Sequence, residues 1–111
     1  MTRILDNRLY VLDGKLPVVE PNLRAWAHWM ETSERVLWQD QVGVYRVSTV
    51  FLGLDHNFGF AHEGKDRTPV LFETMIFGHG HKLDEEMWRY RTWEEAQAGH
   101  LAAVQLAKEA A

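Results

Sequence analysis

Apolar residues along this chain keep β spacing over most of its length and helical spacing in two stretches. Residues 8 to 19, RLYVLDGKLPVV, hold two short apolar runs around Asp13-Gly14. Asp-Gly suits a type I′ turn, in which both central residues need positive φ, so a β-hairpin is expected. Pro17 has no N–H to give a ladder, which places the second arm at an edge or makes it irregular. In EPNLRAWAHWMETS, Asn22 is positioned to cap a helix N-terminus. Leu23, Trp26, Ala27 and Met30 then fall on one face. His28 points away from that face and reads as a solvent-exposed helical histidine.

Residues 35 to 54 are strand-like almost throughout, with a turn expected around Asp40 to Gly43. The run VSTVFLGL is rich in β-branched residues and apolar on both faces, with Val47 and Phe51 on one side and Val50, Leu52 and Leu54 on the other. Such a strand is central and covered twice, or covered on one side by a partner chain. PVLFETMIFG, residues 69 to 78, is the second core strand, with Glu73 and Thr74 as its mid-strand polar residues, one on each face. A short strand is expected near Trp88 to Arg91. The last element is the best marked. Thr92 and Glu95 have the T-x-x-E spacing of a capping box, and a helix follows from Trp93 with Trp93, Ala96, Val104 and Ala107 on one face and His100 in its middle. The order β-β-α-β-β-β-α predicts an α+β domain, an antiparallel sheet of about four to five strands packed with two helices.

Composition narrows the functional classes. The 111 residues fit one compact domain, and a 46% hydrophobic content supports a folded core. Net charge is −4 with Lys and Arg scattered along the chain, which argues against general nucleic-acid binding. The chain has no cysteine, so disulfides, thiolate catalysis and Cys-based zinc sites are excluded. It shows neither a signal-peptide pattern nor an apolar run long enough to span a membrane, and a cytoplasmic location is expected. Nothing in the pattern calls for a cofactor.

Five groups of residues have candidate chemistry. Asp55, His56 and Asn57 end the VSTVFLGL strand; Asp55 and His56 suit an orienting pair for general base work, and equally a strand-stopping turn. Glu73 is costly in an apolar strand unless paired, so it either lines a pocket or meets an arginine from the Arg89/Arg91 strand. His79 and His81, with His56 or His62, are weak candidates for a metal, since residues i and i+2 of an extended segment share a side. His100, inside an apolar stripe, reads as a core histidine reaching Glu73 or Thr49. Trp88, Arg89, Tyr90, Arg91 and Trp93 alternate aromatic and guanidinium groups, a pattern suited to stacking on a base and clamping a phosphate. The plainer alternative is an ordinary two-faced strand, with Trp88, Tyr90 and Thr92 on one side and Arg89, Arg91 and Trp93 on the other.

VSTVFLGLDHNFG, PVLFETMIFG and RYRTWEEAQAGH together resemble a group of small proteins encoded by tailed bacteriophages and prophages. The pattern of that group runs VSTVFLGLDHxF, LLFETMxFG and RYxTWEEAxxGH. The likeness covers residues 47 to 104 and implies a phage or prophage origin with action in the bacterial cytoplasm. It implies no activity and transfers no site residue. Gly-rich phosphate loops, nucleophile elbows and zincin helices are missing. The expected function is therefore that of a phage-encoded accessory protein. It acts by binding a host protein or a small anionic or nucleotide ligand, as in anti-defence, and as a homo-oligomer. The alternatives are a small hydrolase or metal-assisted enzyme using Asp55, His56 and Glu73, and a virion or assembly component.

Overall fold

A computed structural model describes residues 8–57 and 68–111 of the protein. Within them the order is β1 (Tyr10–Asp13), β2 (Leu16–Val19), α1 (Leu23–Thr32), β3 (Val36–Val42), β4 (Tyr45–Phe51), β5 (Phe72–Phe77), β6 (Met87–Tyr90) and α2 (Trp93–Ala110). This is the predicted α+β fold, with the hairpin, the two helices and the antiparallel strands in the expected sequence; four strands rather than three separate the helices, because residues 36–51 form two strands, β3 and β4. The strands divide into a β1–β2 hairpin and a four-stranded antiparallel sheet in simple sequence order, β3-β4-β5-β6.

Local chemistry sets the element ends. Asp13 pairs with Leu16, so the hairpin loop is Gly14-Lys15, one residue later than the Asp-Gly pattern suggests. Gly14 takes φ +65° at the first central position, which a β-branched or bulky residue would resist. The β3–β4 turn falls on Gly43-Val44, because Asp40 stays in the strand opposite Val47. Asn22 caps α1 by accepting from the Ala25 amide at 2.9 Å. Thr92 and Glu95 form the expected capping box on α2.

The buried face of α1 differs from the expected one. Leu23 is 60% exposed and Ala27 is also exposed, whereas Trp26, Trp29 and Met30 turn inward. The Trp26 indole N–H reaches the carbonyls of Tyr10 and Gly53 at 3.1 and 3.0 Å, and Trp29 packs edge-on to Phe51. Two large indoles with a polar anchor outweigh a small alanine in orienting a short helix.

α2 lies across all four strands of the larger sheet. One core cluster joins Tyr45, Val47, Ile76 and Leu83 to Ala103 and Ala107; the other joins Phe51, Leu71 and Phe72 to Ala96. Small residues on α2 let the helix sit close to the sheet. Gly99 is the tightest point, since a Cβ there would overlap the Tyr90 hydroxyl. The opposite face of the sheet carries no covering element among the described residues, and its Phe77 and Met87 are 37% and 39% exposed. No helix is long and apolar enough to cross a membrane among the described residues.

Candidate functional site

The end of β4 is built as a chain stop. Asp55 Oδ1 accepts from the amides of Asn57 and Val70 at 2.8 and 2.9 Å, an Asx-type turn that also ties the strand end to the approach to β5. The His56 ring bonds the Leu54 carbonyl through Nδ1 at 2.6 Å. Glu73 engages neither residue. It sits on the uncovered sheet face opposite Arg89, and the two form an ion pair at 3.0 Å. Asp55, His56 and Glu73 therefore do not assemble into one constellation.

The Arg/aromatic strand divides between faces. Trp88 and Tyr90 point toward α2 and join the two core clusters, while Arg89 projects to the other side toward Glu73. Burial raises the Tyr90 phenol above its usual range, and its hydrogen bond with Thr74 partly offsets this. His79 and His81 lie in the turns between β5 and β6, where the His81 amide bonds Gly78 and its ring packs edge-on to Tyr45. No group of three metal-binding side chains gathers among the described residues, and His62 lies outside them.

His100 is the centre of a polar chain that crosses the core. Its Nε2 meets Asp40 Oδ2 at 2.7 Å, its Nδ1 meets Thr49 Oγ1 at 2.7 Å, and Thr49 meets Thr74 Oγ1 at 2.5 Å. A carboxylate only accepts, so Nε2 donates its proton to Asp40. Acid, imidazole and hydroxyl stand in the order of a nucleophilic triad, but Thr49 is fully buried and no substrate can approach it. The expected link from His100 to Thr49 is present; the link to Glu73 is not, because Glu73 faces the other way. Asp40 escaped the sequence reading, since a turn was expected there.

A cavity of about 360 Å³ lies where the β1–β2 hairpin, residues 68 to 71 and the start of α2 meet. Lys15 enters from the hairpin loop and Arg91 from the β6–α2 junction, with Tyr10 and Trp93 among the walls. The Arg91 Nε donates to the Thr68 carbonyl at 3.2 Å, which fixes the guanidinium along one wall. Lys15 Nζ stands 5.8 Å from the Trp93 ring centre, a cation–π distance. Trp93 is further held edge-on by Trp38, and its indole N–H is buried with no hydrogen-bond partner among the described residues. Among the described residues, Glu94 is the one carboxylate that lines it. Burial raises the Tyr10 phenol, and the Asp55 carboxylate raises it further. Of the residues singled out in the sequence, Arg91 and Trp93 reach this cavity. Tyr10 and Lys15 join them from the far end of the chain, and a lone lysine in a hairpin turn gives no sequence signal.

No protein-family model, curated protein or solved structure matches the chain.

Proposed function

We propose that the protein acts by binding a small anionic ligand in the cavity beneath the hairpin, as a phage- or prophage-encoded accessory protein. The carrying observation is that Lys15 and Arg91 share one cavity wall with Tyr10 and Trp93 in a chain of net charge −4. A ligand with a carboxylate or phosphate at one end and a flat body at the other matches that wall. Lys15 and Arg91 supply positive charge to the anionic end, and the rings take the flat part. The volume falls in the usual range for sites that enclose one small molecule. Capture of a nucleotide signal, as in anti-defence, is the specific version of this reading.

A thermal-shift screen with cyclic and linear mononucleotides and aromatic carboxylates tests it. A ligand present at 100 times its Kd adds about 2.7 kcal/mol of stability. Lys15→Ala and Arg91→Ala should each remove the shift while leaving circular dichroism unchanged. Arg91→Lys should keep only part of it, because the charge is retained while the bond from Nε to the Thr68 carbonyl is lost. Silence from every compound at millimolar concentration overturns the proposal.

A further inference from the structure

The uncovered face of the larger sheet has a charge and apolarity pattern that complements itself. Successive inward-facing residues of β4, such as Val47, Thr49 and Phe51, are sealed beneath α2. The alternate positions therefore form a grid on the other side, fixed by strand register. Val36 stands opposite Val50 at one corner. Phe77, with Met75 opposite Met87, makes the diagonal corner, rimmed by His79, Asp84 and Glu85. A third corner is cationic: Arg46 lies across the Phe77 ring at 4.4 Å and has no acidic partner among the described residues. In the fourth, Glu73 meets Arg89 through Oε2 alone, which leaves Oε1 open to a second cation.

We infer that this face is the interface with a second copy of the chain, related by a two-fold axis along the apolar diagonal. Four strands about 4.8 Å apart and three same-face rows about 6.8 Å apart make the grid roughly square. Turning a copy over about that diagonal sets its strands near a right angle to the first, the orthogonal mode of sheet packing. The two apolar corners then lie on the axis and meet their own images. Arg46 of each copy comes over the Glu73–Arg89 pair of the other, where its charge meets the open carboxylate oxygen. Any other occupant would have to match two apolar corners and two opposite charges at once. A second copy does so by symmetry, as an isologous interface requires. The face spans about 20 by 20 Å with its side chains, or roughly 400 Å² per copy, below the size of stable interfaces and in the range of weak, transient ones. The dimer is accordingly weak and concentration-dependent, and it leaves the ligand cavity at the hairpin open.

Sedimentation equilibrium over a wide concentration range reads this directly. The wild-type chain should dimerise weakly and reversibly, its dimer fraction rising through the submillimolar range. Arg46→Glu and Glu73→Arg should each weaken self-association at least tenfold, because each puts like charges together twice. An equal mixture of the two variants should dimerise again, since one contact is then native and the other reversed with opposite charges still paired. Phe77→Lys, at an exposed position that leaves the fold intact, should also dissociate the dimer. A wild-type chain that stays monomeric at millimolar concentration overturns the inference. So does Arg46→Glu associating like wild type, or a mixture that stays monomeric when both parents do.

Discussion

The two faces of the four-stranded sheet treat polar side chains in opposite ways. Beneath α2, Thr49 and Thr74 are fully buried, and each spends its hydroxyl on a partner within one chain that runs from Asp40 through His100 and Thr49 to Thr74. On the outer face, one residue away along the same strands, Glu73 is paired by a single bond to a part-exposed Arg89. Burial makes the bonds among His100, Thr49 and Thr74 obligatory, because an unmade one in low dielectric costs the full desolvation of its group. Water makes each outer bond optional. The inner polar residues thus hold the fold, and the outer ones are available for recognition.

Packing should separate the faces most strongly. Phe72 is fully buried against Phe51, with ring centres 5.4 Å apart, and Phe77 is its exposed counterpart at the other end of β5. Phe72→Ala should lower stability by about 3–5 kcal/mol, from lost transfer energy and the cavity left behind. Phe77→Ala should change it by no more than about 0.5 kcal/mol, the usual scale for surface substitutions. Urea unfolding of both variants, measured at a concentration where the chain is monomeric, gives the two numbers. Equal losses would mean that the outer face is packed as tightly as the inner one.

The next contrast concerns the polar chain. Thr49→Val keeps the shape but removes the hydroxyl that His100 Nδ1 and Thr74 Oγ1 both use. Leaving those buried groups without their partner should cost about 1–3 kcal/mol. The cost is to be read from urea midpoints with unchanged m-value, which separates lost stability from a changed unfolded state. The adjacent outer substitution Val50→Thr, on a half-buried side chain, should cost less than Thr49→Val. A reversed order would show that the chain from Asp40 to Thr74 contributes little.

These differences also explain what could be read from the sequence. The α2 capping box was legible because Thr92 and Glu95 are local partners, and helix ends obey local rules. Strand identity was legible from β-branched runs. The face of α1 was not, because it depends on where the Trp26 indole finds the Tyr10 and Gly53 carbonyls, a contact between distant segments. His100 announced itself as a core histidine by its place in an apolar stripe, yet its acid, Asp40, lies 60 residues away in a strand that reads locally as a turn. The candidate cavity was half legible. Arg91 and Trp93 stand out in an Arg/aromatic run, whereas Tyr10 and Lys15 arrive only when the hairpin docks. That same run misleads as a clamp, since alternation sends Arg89 to one face and Tyr90 to the other.

The smallest effect is the most informative about the outer face. Arg89→Ala removes the ion pair at 3.0 Å from a guanidinium side chain that is 37% exposed, leaving Glu73 at 16% exposure. Solvent screening limits such a pair to about 0–1 kcal/mol, so the monomer should lose no more than that. The loss should shrink further when salt is raised from low ionic strength to about 1 M, where the Debye length falls to about 3 Å. Self-association should respond in the opposite sense to stability. Freed of Arg89, the Glu73 carboxylate keeps its full charge for Arg46 of the facing copy, so Arg89→Ala should dimerise at least as well as wild type. Unfolding and sedimentation on the same sample therefore distinguish two roles for Arg89. If it holds the sheet together, stability falls by well over 1 kcal/mol. If it only shares Glu73 with the neighbouring copy, stability hardly moves and association is kept or strengthened.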